Sequence, residues 1–486
     1  MYKIAYKKIV HPIFTAPITF AFFISLSALL APLSGQASPS KNLTDHLSAT
    51  NVILFIGDGM DEHQITMARN YLYGPKGLFA MEQMPIRSSV KVQTLREDNS
   101  KQFRHIADSA NTASALATGV LTSKGRIATT ALTNHALPTI LEDAQRAGYR
   151  TGIVTTASLT DATPAAFVSH SPHRDCESPE DMEARHPFIP PTQQCTHNQK
   201  KRGGQGSIVE QLINNNVDVL LGGGKKYFKQ SVAENTFIEQ AQNKGYTLLQ
   251  TLTDIQGTPN HSKLLGLFAK KHLPTEWIGE NYHRAEKIKT DTNGNAIYPK
   301  LFSCTTNTRF KNIPTLSQMT DKALQTLSHN NTKGFFLMVE GASIDKQAHK
   351  RNPCGQIREL RAFDESISKG REFASKFSNT LMIVTADHGQ AGQIVPLPES
   401  YELVSNAVTA PQYPTGYYAV LKTLSGELMA VSYATNSSPQ GLWEMHTGTN
   451  VPAFMEGPGL KNIPITINQR YINSLMRQHL KLEPVK

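Results

Sequence analysis

Asp345 and His349 stand four residues apart in VEGASIDKQAH, a spacing that puts both on one face of a helix, where they can grip one cation. Asp387 and His388 adjoin in VTADHGQ, Asp58 follows an apolar run in IGDGM, and Glu340 ends another. His446 sits in EMHTGTN with no apolar face to pack against. Singly, each is as well explained by solvation or by a helix cap. Together they offer hard oxygens and imidazoles, the donor set of Zn2+ and Mg2+ sites. The stretch IADSANTASALATG adds an alcohol, because Ser109 directly follows the carboxylate of Asp108 and heads a run almost without bulk. A metal can hold such an alcohol deprotonated, while the free N–H groups of a helix N-terminus favour an incoming anion. Small side chains behind Ser109 let the helix seat closely. Ser109 as a plain N-cap has the same placement, so both readings stand at this point. Neither a GxSxG elbow nor a Walker phosphate loop occurs.

These side chains need elements to aim them. Short apolar runs at 51–56, 151–156, 217–221, 335–339 and 381–385 read as buried strands, and the third empties into Gly222-Gly223-Gly224. They alternate with helix-like segments at 137–147, 207–214 and 357–377. This alternation predicts an α/β fold of three layers, a doubly wound, mostly parallel central sheet covered on both faces. Ligands in such sheets lie beyond the carboxyl ends of the strands, where the acids and histidines cluster here. Two segments differ. Residues 172–206, rich in Pro, Cys, Gln and His, read as a stapled excursion, and 401–445, with strand-like runs at 418–421 and 428–432, as a small surface subdomain.

Lys3, Lys7, Lys8 and His11 precede the apolar run FTAPITFAFFISLSALLAPL and the small-residue exit SGQAS. This pattern predicts a secretory signal peptide at 1–37, with Gly35 and Ala37 before the cut. An uncleaved anchor is the alternative, since the run approaches the ~20 residues a span needs, but Pro17 and Pro32 weaken it. The remainder, 38–486, is long enough for a large core and reads as a single catalytic domain. Losing the leader's three lysines lowers the formal charge from +10 to +7. Apart from Lys200-Lys201-Arg202 the basic residues are scattered, which suits the gathering of small anions and requires no nucleic-acid partner. No membrane association is expected after cleavage. Cys176, Cys195, Cys304 and Cys354 all fall in the exported part and predict two disulfides, with three pairings available and 176–195 with 304–354 the simplest.

Taken in order, IGDGM, DSANTASALATG, DATPAAFVSHSPHRDC, VEGASIDKQAHKRNPCGQI, VTADH and HTG resemble the bacterial periplasmic alkaline phosphatases, from about Asn51 to the end. The resemblance implies Ser109 as nucleophile. It implies Asp345, His349 and His446 around a first zinc, and Asp58, Asp387 and His388 around a second. Asp58 would bridge to a magnesium whose other ligands are Asp161, Thr163 and Glu340. Arg174 would clamp phosphate oxygens with Asp108 helping to hold it, and Lys346 would reach the phosphate through water. Also implied are a homodimer, a periplasmic location, a crown-like segment near 401–445 and the disulfides 176–195 and 304–354. Asp61-Glu62-His63 and Gly389-Gln390 depart locally from the family pattern without removing a ligand.

The implied activity is hydrolysis of small phosphate monoesters, with broad specificity, through a phosphoserine on Ser109 and release of inorganic phosphate. A phosphodiesterase or sulfatase of the same superfamily competes with it. A diester has one fewer charged oxygen for Arg174 and the magnesium set, and Ser109-Ala-Asn-Thr lacks the Cys/Ser-x-Pro-x-Arg setting of a sulfatase nucleophile. A periplasmic phosphate-binding protein would need no aligned nucleophile at all.

Overall fold

A strand with neighbours on both edges and helices on both faces has no wet surface, so its sequence is apolar throughout rather than alternating. The run TNVILFIG behaves this way in the computed structural model, which describes residues 49–485 apart from 184–185, 233, 294–295, 398–400, 402–408, 411–415 and 434–440. Ten strands share one sheet: β1 (Thr50–Gly57), β2 (Ile86–Lys91), β3 (Arg150–Ser158), β4 (Val219–Gly223), β5 (Tyr246–Leu249), β6 (Lys263–Leu267), β7 (Gly334–Gly341), β8 (Thr380–Ala386), β9 (Val451–Glu456) and β10 (Thr466–Asn468). Their order is β10-β2-β9-β8-β1-β7-β3-β4-β6-β5. Only β9 runs against the rest, between β8 and β2. The five apolar runs of the sequence became β1, β3, β4, β7 and β8. The other five escaped the pattern: β2 carries the exposed Arg87 and Lys91, β6 is a five-residue run that includes Gly266, β9 contains Pro452, and β5 and β10 are short edges.

Helices cover both faces, and two adjacent phenylalanines on β7 demonstrate it. Successive strand residues point to opposite sides. Phe335 meets Phe373 of a helix at Pro353–Lys376, with ring centroids 5.5 Å apart, while Phe336 stacks at 5.9 Å on Phe167 of a helix at Ala162–Val168. The site draws on α1 (Glu62–Tyr73), α2 (Ser109–Thr118), α3 (Ala162–Val168), α4 (Leu316–Ser328), α5 (Ser343–His349), α6 (Pro353–Lys376) and α7 (Gln469–His479). On one side α6 packs on α1 and α4; on the other α2 packs between α3 and α7. Every residue of α2 is buried, which its small side chains permit. Asn473 of α7 caps the far end by donating to the carbonyls of Leu116 and Ala117.

Both disulfides form as the simplest pairing had it, Cys176–Cys195 and Cys304–Cys354. The excursion at 172–206 is a chain of short 3-10 turns, and Cys176, Met182 and Cys195 form a small buried cluster inside it. Strands Tyr417–Lys422 and Leu428–Ser432 form an outlying sheet that recruits Gln393–Val395 and Glu286–Lys287, so the surface segment reaches further along the chain than 401–445. Much of 401–445 (402–408, 411–415 and 434–440) and the whole proposed leader at 1–37 lie outside the described residues. Among the described residues no helix is long and apolar enough to cross a membrane.

His170 shows how the layer behind α3 is tied. Its Nε2 faces Glu142 Oε1 at 3.0 Å and its Nδ1 faces the Ala128 carbonyl at 3.0 Å. Both partners accept, so only the imidazolium satisfies both. Burial opposes the charge, but Glu142 and the carbonyl raise the pKa above 6.5. The stabilisation is complete below the unfolded value of 6.5 and is lost as pH rises through the elevated native one. The stability of the wild type, read by thermal unfolding, should therefore fall more steeply than that of His170→Gln as pH rises from below 6.5 into the alkaline range. Parallel curves would refute the assignment.

Candidate active site

Register places the acids. Gly57 at the end of β1 lies opposite Gly341 of β7 and Ala386 of β8, so Asp58 and Asp387 leave the sheet at one level, with Glu340 one residue before it. Gly59 turns the chain with φ +70°, and a Cβ there would lie 2.8 Å from Asp345 Cβ, so only glycine lets the Asp58 loop approach α5 this closely. The Asp387 carboxylate is divided. Its Oδ1 accepts the backbone N–H groups of Gly59 at 2.9 Å and His388 at 2.8 Å, while its buried Oδ2 has no hydrogen-bond partner.

Two donor clusters result, Asp58 with Asp387 and His388, and Asp345 with His349 and His446, the members of each lying within 4.8 Å of one another. All three imidazoles turn Nδ1 toward a backbone carbonyl: His349 to Glu444 at 2.5 Å, His446 to Ala107 at 2.9 Å, His388 to Gly389 at 3.3 Å. A carbonyl only accepts, so Nδ1 carries the proton and Nε2 presents a lone pair to the cluster. Nε2 of His446 lies 3.3 Å from Nε2 of His349, and Nε2 of His349 lies 3.2 Å from Asp345 Oδ2. Against burial, the Asp345 charge raises His349 to about 9, so in the absence of an ion a proton on that nitrogen stands where a cation could. Burial and then the Asp345 charge push Asp58 up to about 6, burial pushes Glu340 up to about 8, and burial with Asp58 pushes Asp387 well above the carboxylate range. Converging imidazole nitrogens, a carboxylate oxygen without a hydrogen bond and acids driven toward protonation all call for cations. The donor set fits divalent metal.

Ser109 is the first residue of α2 and not its cap. Asp108 is the cap, accepting from Asn111 N at 3.2 Å while the Asn111 side chain accepts from Asp108 N. That frees the Ser109 hydroxyl, whose Oγ lies 3.0 Å from His388 Nε2 and 3.5 Å from Asp58 Oδ1. Asp108 also sits 3.5 Å from Arg174, but the closer partner is Asp161, whose Oδ1 accepts from Arg174 Nη2 at 3.0 Å. The other oxygen of Asp161 lies 2.8 Å from Lys346 Nζ, which also donates to Asp58 at 3.3 Å. Against burial, Lys346 and Arg174 hold Asp161 far below the ordinary carboxylate range, and Asp161 and Asp58 hold Lys346 well above its own. The third ligand set is less converged than the other two. Thr163 lies buried in the first turn of α3, and Glu340 takes its hydrogen bond from Thr155.

Sequence reasoning missed a supporting shell. Glu359 of α6 accepts from Ser343 N and from Thr156, and Thr156 in turn accepts from Ala342 N, so one buried carboxylate fixes the turn between Glu340 and Asp345. Gln390 is the more direct case. Its Nε2 donates to Asp345 Oδ1 at 2.6 Å while its Oε1 accepts from Ala391 N at 2.8 Å, which sets the amide orientation. Its backbone is clamped by α1: Asp61 accepts from Gln390 N, and Gln64 donates to the carbonyls of Gln390 and Ala391. The two departures from the family pattern therefore meet each other in space. An amide two residues after a candidate ligand was the available signal. Gln390→Ala should weaken retention of a divalent metal by the Asp345 cluster about tenfold, read by competition with a chromophoric chelator. An unchanged competition curve would remove Gln390 from that role.

Comparison with known proteins gives the family. The family model for Alkaline phosphatase matches residues 49–482. Alkaline phosphatase of Escherichia coli (strain K12) is 39% identical over 454 residues, 91% of this chain and 88% of the relative. Alkaline phosphatase H of Pseudomonas aeruginosa is 38% identical over 93% of this chain and 91% of its own, and streptomycin-6-phosphate phosphatase of Streptomyces griseus 37% over 89% and 91%. Among solved structures, alkaline phosphatase from the Antarctic bacterium TAB5 superposes with a TM-score of 0.63 at 24% identity, covering 90% of this chain and all of that one. That of Thermus thermophilus gives 0.63 at 19%, covering 93% and 96%. The chain belongs to the alkaline phosphatase family and hydrolyses phosphate monoesters.

Proposed function

We propose that this phosphatase passes the phosphoryl group first to Ser109 and then to water. Asp345, His349 and His446 would hold one Zn2+, Asp58, Asp387 and His388 a second, and Asp58, Asp161, Thr163 and Glu340 one Mg2+. The observation that carries the reading is the convergence of Ser109 Oγ, His388 Nε2 and Asp58 Oδ1 beside Asp387 Oδ2, which takes no hydrogen bond and lies 3.2 Å from His388 Nε2. When bound, the divalent ions supply Lewis acidity for the serine oxygen, the leaving oxygen and the attacking water. The chain's own groups do the rest. Ser109 Oγ attacks phosphorus, and the amides opening α2 favour the phosphate that arrives there. Arg174 offers a planar fork to two nonbridging oxygens, its direction held by Asp108 and Asp161. Lys346 adds positive charge one water away. Such a site reads the phosphate and little of the alcohol. A relative named for streptomycin 6-phosphate supports tolerance of a bulky leaving group.

The same reading takes 1–37 as a cleaved leader and 38–486 as one periplasmic catalytic domain that works as a homodimer. The two disulfides support an oxidising compartment.

Ser109→Ala should lower kcat about a thousandfold or more while zinc content stays unchanged, since Ser109 is attacking atom and not ligand. Enzyme incubated with labelled phosphate and quenched in acid should carry label on the Ser109 peptide. Label elsewhere would reject the assignment. Asp161→His replaces a hard oxygen by nitrogen and removes the shared counter-charge of Lys346 and Arg174. After chelation and zinc reloading, its activity should need a higher concentration of added Mg2+ than the wild type's, and KM should rise as Arg174 loses its closer anchor. Superimposed magnesium titrations would dismiss Asp161 as a magnesium ligand.

A further inference from the structure

The run Gly222-Gly223-Gly224 at the end of β4 plays no part in the catalytic centre. Its glycines let two basic segments meet. A Cβ on Gly223 would fall 1.9 Å from the Lys271 carbonyl oxygen, and Gly224, at φ +98°, would place one 2.3 Å from Ser158 Oγ. The segments are stitched by backbone bonds: Gly224 N to Lys271 O at 2.7 Å, Lys225 N to Ala269 O at 3.0 Å and Lys226 N to Lys270 O at 3.0 Å. Beside this seam lies a cavity of about 730 Å³, beyond the carboxyl end of β6 and on the sheet edge that also bears the active centre. Lys225, Lys226, Lys229 and Lys270 surround it over a floor of the buried Leu267 and Phe268. Among the described residues no aspartate or glutamate lines it. Lys225 spends its ammonium on the neutral Gln250, and Lys226 lies 3.9 Å from the centre of the Tyr227 ring, so the wall itself supplies no counter-charge.

Four like charges held on a stitched frame around apolar carbon repel one another until an anion enters. We propose that this cavity binds a small organic polyanion, its acidic groups on the lysines and its apolar or aromatic body on Leu267 and Phe268. The volume is that of a small-molecule pocket. The site is separate from the phosphate site but adjoins it. His272, two residues beyond Lys270, accepts from Ser158 N and lies 3.8 Å from Asp161.

The test uses the whole metal-loaded enzyme with its catalytic centre saturated by inorganic phosphate, and fluorescence anisotropy of pyrenetetrasulfonate as probe. One saturable site per chain is expected, weakening as NaCl rises. Lys229→Glu with Lys270→Glu should weaken it about tenfold, and the glutamine pair less. Lys461→Glu with Lys481→Glu, the same change in net charge elsewhere, should leave it within about twofold. Monoesterase activity of each variant reports that it has folded. Absence of saturable binding, or equal losses in both glutamate pairs, would overturn the proposal.

Discussion

Asp58, Asp345 and Asp387 are buried together at the ends of parallel strands and on the helix that follows one of them, and three carboxylates cannot all stay charged in a dry pocket without positive charge among them. Much of the site's construction answers that constraint. The backbone N–H groups of Gly59 and His388 satisfy one oxygen of Asp387 and leave the other aimed at the cluster. Three imidazoles spend their protons on carbonyls and so keep their lone pairs for a cation. The acids and histidines are each half of an arrangement whose other half is a metal.

Fixed cations carry the adjoining part of the balance. Asp161 gives one oxygen to Arg174 and the other to Lys346, and Lys346 extends to Asp58. This carboxylate thereby couples Arg174 to Lys346 and, through Lys346, to Asp58. A change at Asp161 therefore perturbs both, which is why its consequences differ from those of the serine, whose hydroxyl makes no such bridge.

Support for the site comes from both faces of the sheet. On one, α6 supplies Glu359 to hold the turn before α5, and α1 holds Gln390 through Asp61 and Gln64. On the other, α2 lies flat between α3 and α7 because its residues are small, which brings the Ser109 hydroxyl to His388. The run of alanines and serines thus answers a packing need and a chemical one at once. With Asp108 as the cap, the neighbouring serine keeps its hydroxyl for His388 and Asp58.

Sequence alone determined the α/β class, the five central strands, the candidate ligands and the family, because buried parallel strands read as unbroken apolar runs and a ligand must be a particular residue type at a strand end. It did not reveal β2, β5, β6, β9 and β10, whose sequences are polar, short or interrupted by Gly266 or Pro452 and take strand form only because a neighbour offers an edge. Nor did it reveal that Asp161 grips Arg174, that Gln390 orients Asp345, or that a triglycine seam gathers four lysines. Each of these joins residues far apart in the chain through a hydrogen bond or an approach of a few ångströms. Such contacts leave no periodicity in the sequence, and only the folded arrangement of strands and helices decides them.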